Sequence, residues 1–185
     1  MLDVKKAKYG LDARAMAIIA AIVIAAGTRL VPHPPNFSPV AAMALFSGAY
    51  LGRRALGFLA PLGALFLSDI FLGFYPLMVI VYGSVALIVC LGWIISRRRS
   101  AANVGLAAVS GSVLFYLITN FGVWAFSDMY PKTLAGLMTC YAAAIPFFQN
   151  SLAGDLFFTA ILFGGFAIAE RAIPILRESP AFAAR

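Results

Sequence analysis

The fold of this chain is decided by residues 29–50, which read RLVPHPPNFSPVAAMALFSGAY. Four prolines, the only histidine and an asparagine crowd the start of this stretch, between two apolar runs. The run that follows, residues 40–51, supplies about half of the roughly 20 residues that a helix needs to cross a bilayer. If this helix starts below the membrane surface, the loop before it must enter the protein at membrane depth, where irregular backbone is buried by protein or lines a wet cavity. The alternative is a rigid surface turn.

The composition of the whole chain indicates an integral membrane protein. Of its 185 residues, 63% are apolar and only 11% are charged, so it cannot form an ordinary water-exposed surface. We expect an all-α fold that forms a single transmembrane domain over residues 1–185. The apolar runs predict six transmembrane helices, near residues 15–31, 40–51, 55–72, 76–95, 104–126 and 151–168.

A further apolar segment, residues 134–148, is short and is bounded by Pro131 and Pro146. If this segment crossed the membrane, Arg171 and Arg177 would lie on the outer side, against the positive-inside rule. We therefore predict that it forms an additional short re-entrant or interfacial helix on the outer side of the membrane.

The net charge of +7 is compatible with nucleic-acid binding, but the positions of the charges indicate a membrane topology instead. Twelve of the fourteen basic residues lie in alternate gaps between apolar runs, as the positive-inside rule expects of cytoplasmic loops. They are Lys5, Lys6, Lys8, Arg14, Arg53, Arg54, Arg97, Arg98, Arg99, Arg171, Arg177 and Arg185. We expect a multi-pass protein of the bacterial cytoplasmic (inner) membrane, with both termini in the cytoplasm and no nucleic-acid partner.

Two other patterns have simple interpretations. The first apolar run could be a signal peptide, but no clear cleavage site followed by a soluble domain appears, so we expect it to be retained. Cys90 and Cys140 are far apart in the sequence and belong to no metal-binding or redox motif, so we interpret both as packing residues.

Polar side chains within the apolar runs collect at the outer level of the predicted bundle. A carboxylate facing lipid costs at least about 2.5 kcal/mol, so Asp69 and Asp155 should face the bundle interior, a cavity or a partner. Their convergence with other polar groups predicts a pocket that opens outward. Aromatic residues crowd the same level, where they could line the pocket or form an ordinary interfacial belt.

The candidate substrate-binding residues fall into four groups by expected role. Asp69, Asn120, Asn150 and Asp155 would fix polar groups of a ligand. Tyr82, Trp124 and Phe147 would cover its apolar faces. His33, Asn36 and Phe37 would form a lid loop, and Arg29 would pair with an anionic group.

The first apolar run carries a ridge of small residues. Ala13, Ala17, Ala21 and Ala25 recur every four residues, so another helix can approach this face closely. The ridge could pack inside the bundle or bind a partner protein, and the spacing does not decide between them.

Several kinds of chemistry have no counterpart in the sequence. No phosphate-binding G-x-x-x-x-G-K-[ST] loop is present, one histidine and two scattered cysteines make no metal site, and no nucleophile triad can be built. Asp69 and Asp155 could share a proton as in intramembrane aspartyl enzymes, but the first glycine of the G-x-G-D motif is replaced by Leu152. We expect no enzyme activity, no catalytic residue, no metal and no cofactor.

Several segments together resemble a family of small bacterial membrane proteins of uncharacterised function. They are RLVPHPPNFSPVAAMALFSGAYLG, LSDIFLGFYP, TNFGVW and YPKTLAGLMTCYAAAIPFFQNSLAGDLFFTAILFG. The six-span layout, the outward polar pocket and the alanine ridge are also similar to the substrate-binding S components of energy-coupling-factor vitamin transporters. That resemblance implies an S-component-like bundle, and docking of Ala17, Ala21 and Ala25 on a transmembrane coupling subunit that works with ATPases.

These observations lead to two functional hypotheses. The first is a membrane-embedded binding protein for uptake of a small vitamin-like solute. The second is a structural or assembly subunit, in which the same polar residues hydrogen-bond to one another and the alanine ridge binds a partner helix.

Overall fold

A computed structural model describes residues 12–52 and 55–177, and the regular structure in these ranges is helical. The six helices there are α1 (Ala13–Gly27), α2 (Val40–Leu51), α3 (Ala55–Leu72), α4 (Met78–Ile95), α5 (Ala101–Phe126) and α6 (Leu134–Ala172). Short 3-10 turns follow α1 at Thr28–Leu30 and α6 at Pro174–Leu176. Lys5, Lys6, Lys8, Arg53, Arg54 and Arg185 of the predicted cytoplasmic set lie outside the described residues.

Five of these six helices are long and apolar enough to cross a membrane when α1 is taken together with its 3-10 turn to Leu30, and α2 is the exception within the described ranges. The chain is thus an all-helical bundle of the kind that membranes contain. Three helices begin with a side-chain cap: Asp12, Ser100 and Thr133 each accept a hydrogen bond from the backbone N–H three residues later. Such caps satisfy N–H groups that have no partner inside their own helix.

The prediction of a separate helix at residues 134–148 is wrong, because α6 runs without a break from Leu134 to Ala172. Its first part, Leu134–Thr159, contains Pro146 in its interior, and a π-helical turn at Ala160–Gly164 joins it to a final α-helical part. Proline removes one backbone hydrogen bond but does not end the helix, as is common in membrane helices. The segments predicted at 134–148 and 151–168 therefore form one helix of 39 residues, about 58 Å long.

The short helix α2 forms the centre of the bundle. It contacts α1, α3, α4, α5 and α6, and every one of its residues except Tyr50 is buried. With 12 residues it is about 18 Å long, and the residues at its two ends, Val40 and Leu51, are both buried. A helix that is apolar on nearly all sides suits a position with protein neighbours in every direction, and the buried Ser47 hydroxyl donates to the backbone oxygen of Gly57 at 2.8 Å.

The closest helix crossing is between α2 and α4. A Cβ atom on Gly48 would lie 2.0 Å from the backbone oxygen of Val89, and one on Gly92 would lie 2.4 Å from the backbone oxygen of Leu45. Only glycine leaves room for the two backbones at this distance, which is the usual basis of close packing between membrane helices.

Charged side chains stabilise the central helix at its carboxyl end. Arg99 donates to the backbone oxygen of Ala49 at 3.2 Å, and its guanidinium lies 4.4 Å from the centre of the Tyr50 ring. The Arg14 guanidinium lies 5.5 Å from the centre of the same ring, and Arg14 forms an ion pair with Glu170. These contacts bring the start of α1, the start of α5 and the end of α6 together at one end of the bundle, which we call the basic end.

The alanine ridge of α1 faces the bundle. Ala25 is buried, and Ala17 and Ala21 pack against the hydrophobic core, where α1 contacts α2 and α3. The exposed face of α1 instead carries larger side chains such as Met16 and Ile24. Ala25 packs inside the bundle, whereas Ala17 and Ala21 keep part of their surface exposed, so docking of a partner on the ridge stays a prediction.

Candidate functional site

A cavity of about 350 Å³ lies at the opposite end of the bundle from the basic end. The 3-10 turn after α1, the loop before α2, and helices α2 to α6 all contribute to its wall. The lining combines polar groups with aromatic rings, which is the usual composition of a site for a small molecule. This matches the sequence-based expectation that buried polar groups converge at one end of the bundle.

Arg29 forms one wall of the cavity and is held from behind by Asp69. The two side chains form an ion pair at 2.8 Å, and the Asp69 side chain is completely buried. Arg29 also donates to the hydroxyl of Ser68 and, at 3.4 Å, to the backbone oxygen of Leu65. Tyr82 donates its hydroxyl to the other Asp69 oxygen at 2.9 Å. Asp69 therefore positions Arg29 and does not itself line the cavity.

Tyr75 lines the cavity beside this ion pair, in the connection between α3 and α4. Burial and, secondly, the neighbouring Asp69 carboxylate raise the pKa of Tyr75 to about 12. Its hydroxyl keeps its proton at physiological pH, as an ordinary tyrosine does, and can donate a hydrogen bond.

Asp155 forms a second polar wall and also stabilises α2. Its carboxylate accepts a hydrogen bond from the hydroxyl of Ser112 at 2.6 Å and lies beside the backbone N–H of Ala41. Ala41 lies in the first turn of α2, whose preceding residue, Pro39, supplies no side-chain cap. A carboxylate at a helix N-terminus satisfies an unpaired N–H and interacts favourably with the helix dipole. Asp155 thus caps the central helix from a neighbouring helix.

Replacing Asp155 with alanine should lower the free energy of unfolding by about 1–2 kcal/mol, because the N-terminus of α2 loses a nearby carboxylate and the Ser112 hydroxyl keeps only the backbone oxygen of Ala108 as acceptor. The measurement compares the thermal unfolding of the purified variants and the unmodified protein in detergent. Asp155→Asn keeps an oxygen that can accept the hydrogen bond from Ser112, so its unfolding temperature should lie between those of Asp155→Ala and the unmodified protein. Equal unfolding temperatures for all three proteins would show that the cap contributes nothing.

A polar stripe on α5 forms much of the remaining wall, and sequence reasoning missed most of it. Ser112, Tyr116, Thr119 and Asn120 all line the cavity, and only Asn120 was predicted. These positions follow the spacing i, i+4, i+7 and i+8, which places them on one helix face. The same periodicity, read within the apolar run of α5, would have identified them.

The loop predicted as a lid is anchored to α6 and enters the bundle only at its end. Residues 31–36 are exposed, whereas Pro39 is fully buried. A Cβ atom on Gly154 would lie 2.9 Å from the backbone nitrogen of Ser38, so glycine allows the loop to pack directly on α6. Asn150 donates to the backbone oxygen of Pro35 at 3.0 Å, and the Phe37 ring packs on Phe157 and Phe158.

The cavity brings together part of the predicted set. Arg29, Asn36, Asn120, Phe147 and Asp155 line it. Asp69 and Tyr82 support Arg29 from behind, while Asn150 and Phe37 hold the loop.

Two predicted residues lie elsewhere. His33 is exposed and its ring nitrogen contacts the backbone oxygen of Pro34 at 2.9 Å. Trp124 donates to the backbone oxygen of Pro131 at 2.9 Å, near the end of α5, and its ring contacts Phe121. The sequence predicted the same membrane depth for these residues as for the cavity. Depth alone does not specify which helix face carries a residue or where a loop side chain points.

The two buried carboxylates have separate partners. Asp69 binds Arg29 and Tyr82, whereas Asp155 binds Ser112 and the N-terminus of α2. A shared proton needs two carboxyl groups in direct contact, and these two share no hydrogen bond. The aspartyl-enzyme hypothesis thus finds no support in this geometry.

Apolar helices around an internal cavity with polar walls define a helical membrane protein with a site of ligand size. Residues 10–176 match a family of unknown function, DUF6580, and the chain belongs to this family. No curated protein and no solved structure matches the chain. Neither comparison supports the resemblance to S components of vitamin transporters, which stays a prediction from the sequence.

Proposed function

We propose that the cavity binds a small, vitamin-like solute, and that the protein is the membrane-embedded binding component of an uptake system. The observation that carries this proposal is the cavity of about 350 Å³, to which all six helical segments or their connections contribute. Its volume falls within the range of roughly 300–1,000 Å³ that is usual for small-molecule sites. The distribution of basic residues favours an opening on the outer side of the membrane.

The charges of the wall favour a ligand with a cationic or hydrogen-bond-donating group. Arg29 is neutralised by Asp69 and its donors are directed at Asp69, Ser68 and Leu65, so an anionic ligand would have to compete with these partners. Asp155 faces no such counter-cation, and its carboxylate can accept further hydrogen bonds. We therefore assign the main polar contact to Asp155, and give Asn36 and Asn120 supporting roles.

Aromatic rings would hold the apolar part of the ligand. Phe147 was predicted in this role, and Phe115, Tyr116 and Phe148 line the same cavity. The Tyr116 and Phe148 rings contact each other at 4.7 Å between centroids, so they form a continuous aromatic surface in the wall. Such a surface can also stabilise a cation through its π-electrons.

A structural or assembly role is the competing proposal, and internal hydrogen bonds favour it. Asn120 donates to the backbone oxygen of Tyr116 on its own helix, and Tyr116 donates to Tyr141. Asp155 already accepts a hydrogen bond from Ser112 and lies beside the N-terminus of α2. Docking of a coupling subunit with ATPases stays a prediction, and Ala17, Ala21 and Ala25 are engaged within this bundle.

Filling the cavity separates the two proposals. Ala144 lines the cavity, whereas its neighbour Ala143 is exposed on the outside of the same helix. The purified protein should unfold at a higher temperature with a solute from a panel of vitamins and amines, since a ligand at 100 times its Kd adds about 2.7 kcal/mol. Ala144→Phe should abolish this increase, and Ala143→Phe should retain it.

Mass spectrometry of small molecules released from the detergent-solubilised protein provides the candidates for this panel. A molecule that accompanies the unmodified protein and Ala143→Phe, but not Ala144→Phe, supports the binding proposal. If no compound raises the unfolding temperature and Ala144→Phe folds normally, the structural proposal is favoured instead.

A further inference from the structure

We propose that a groove between α4 and α5 at the basic end is a binding site for an anionic phospholipid. The groove has a volume of about 440 Å³ and lies at the opposite end of the bundle from the solute cavity. Its walls are the apolar side chains of Leu91, Ile94 and Leu106, and its end carries Arg97, Arg98 and Asn103. This combination of a charged end and an apolar channel matches the two parts of a phospholipid.

The apolar walls belong to the lipid-facing surface. Ile94 is 77% exposed and Leu106 is 70% exposed, on two helices that are long enough to cross a membrane. In a bilayer these side chains contact acyl chains, because only lipid or a partner can cover them. A lipid acyl chain lying between α4 and α5 would fill the groove along its length.

The positive end of the groove complements a lipid phosphate. Arg97 and Arg98 are adjacent and exposed, and none of the residues that line the groove is acidic. The N-terminus of α5, which begins at Ala101, adds the positive end of its helix dipole. Basic pockets between transmembrane helices on the cytoplasmic side bind the head groups of anionic lipids.

Arg99, the third arginine of the run, contacts the central helix and does not line the groove. Arg99 faces inward, where it donates to Ala49 and stacks on Tyr50. The backbone of Arg98 is fixed in turn by Asn103, whose side chain donates to the Arg98 oxygen at 2.9 Å. The three consecutive arginines thus divide between the central helix and the groove.

The test compares lipids and arginine variants in the full-length protein. The protein is placed in nanodiscs or detergent with cardiolipin, phosphatidylglycerol or phosphatidylcholine, and bound lipid is counted by native mass spectrometry together with the unfolding temperature. Both anionic lipids should remain bound and raise the unfolding temperature, and phosphatidylcholine should not. Inorganic phosphate at the same concentration should have no effect, because it does not occupy the apolar channel.

Arg97→Gln and Arg98→Gln should each weaken anionic-lipid binding by about fivefold. Arg171→Gln removes the same charge from an exposed position at the same end of the bundle and should leave binding unchanged. Leu106→Trp fills the channel without changing charge and should also weaken binding. Equal losses for Arg98→Gln and Arg171→Gln, or equal binding of phosphatidylcholine, would overturn the proposal.

Discussion

Replacing Gly92 with alanine should destabilise the protein by about 3 kcal/mol or more, enough to prevent recovery of a monodisperse protein in detergent. The new Cβ atom would lie 2.4 Å from the Leu45 oxygen and 2.8 Å from the Ala49 nitrogen. Both are backbone atoms, so α2 and α4 would have to separate and the central helix would lose contact with several neighbours. The amount of monodisperse protein and its unfolding temperature measure this effect.

Gly83→Ala is the matched control on the same helix. Nothing lies within 4 Å of a Cβ atom at Gly83, which is exposed in α4. Alanine favours helix by up to about 1 kcal/mol over glycine, so this variant should be as stable as the unmodified protein or slightly more stable. If Gly92→Ala unfolded at the temperature of Gly83→Ala, the close crossing of α2 and α4 would be incorrect.

Neutralising one member of the Arg29–Asp69 ion pair should lower the free energy of unfolding by about as much as Gly92→Ala does. Asp69→Asn leaves a guanidinium facing an amide inside the bundle, and breaking a buried pair costs about 3–5 kcal/mol. Arginine cannot release its proton, so it cannot escape the cost by becoming neutral. We expect a large fall in unfolding temperature for Asp69→Asn.

The double variant Arg29→Met/Asp69→Leu provides the control for this pair. It removes both charges and keeps an apolar volume of similar size, so it should be clearly more stable than Asp69→Asn. The reverse order of stability would mean that the charges are solvated, in conflict with the complete burial of Asp69. Ligand binding by the double variant would also reveal whether Arg29 contacts the solute.

The sequence was sufficient to predict most of the helices, because runs of apolar residues have a length set by the bilayer. It also indicated that residues 40–51 were too short to span the membrane alone. It did not predict the continuity of α6, since Pro146 is a strong signal for a helix end in water. Pro146 lies on an exposed part of α6, and membrane helices tolerate an interior proline because local adjustments satisfy the backbone groups that it frees.

The sequence predicted the membrane depth of the site, but it did not predict which residues form the cavity wall. Asp155 and Asn120 could be placed from their depth in the helices, since polar groups in apolar runs need protein partners. Ser112 and Thr119 were missed because hydroxyl groups are common in membrane helices, where they bond to their own backbone. The pairing of Arg29 with Asp69, 40 positions later, depends on the packing of α1 against α3 and leaves no local pattern.

The enclosure of α2 has a consequence for biosynthesis. A 12-residue apolar segment is too short to partition stably into lipid by itself when it leaves the ribosome. It must enter together with α3 as a helical hairpin, or wait at the interface until α4 supplies the glycine-lined surface against which it fits. The last step of maturation is then the closure of α5 and α6 around it, when Asp155 reaches the amino end of α2.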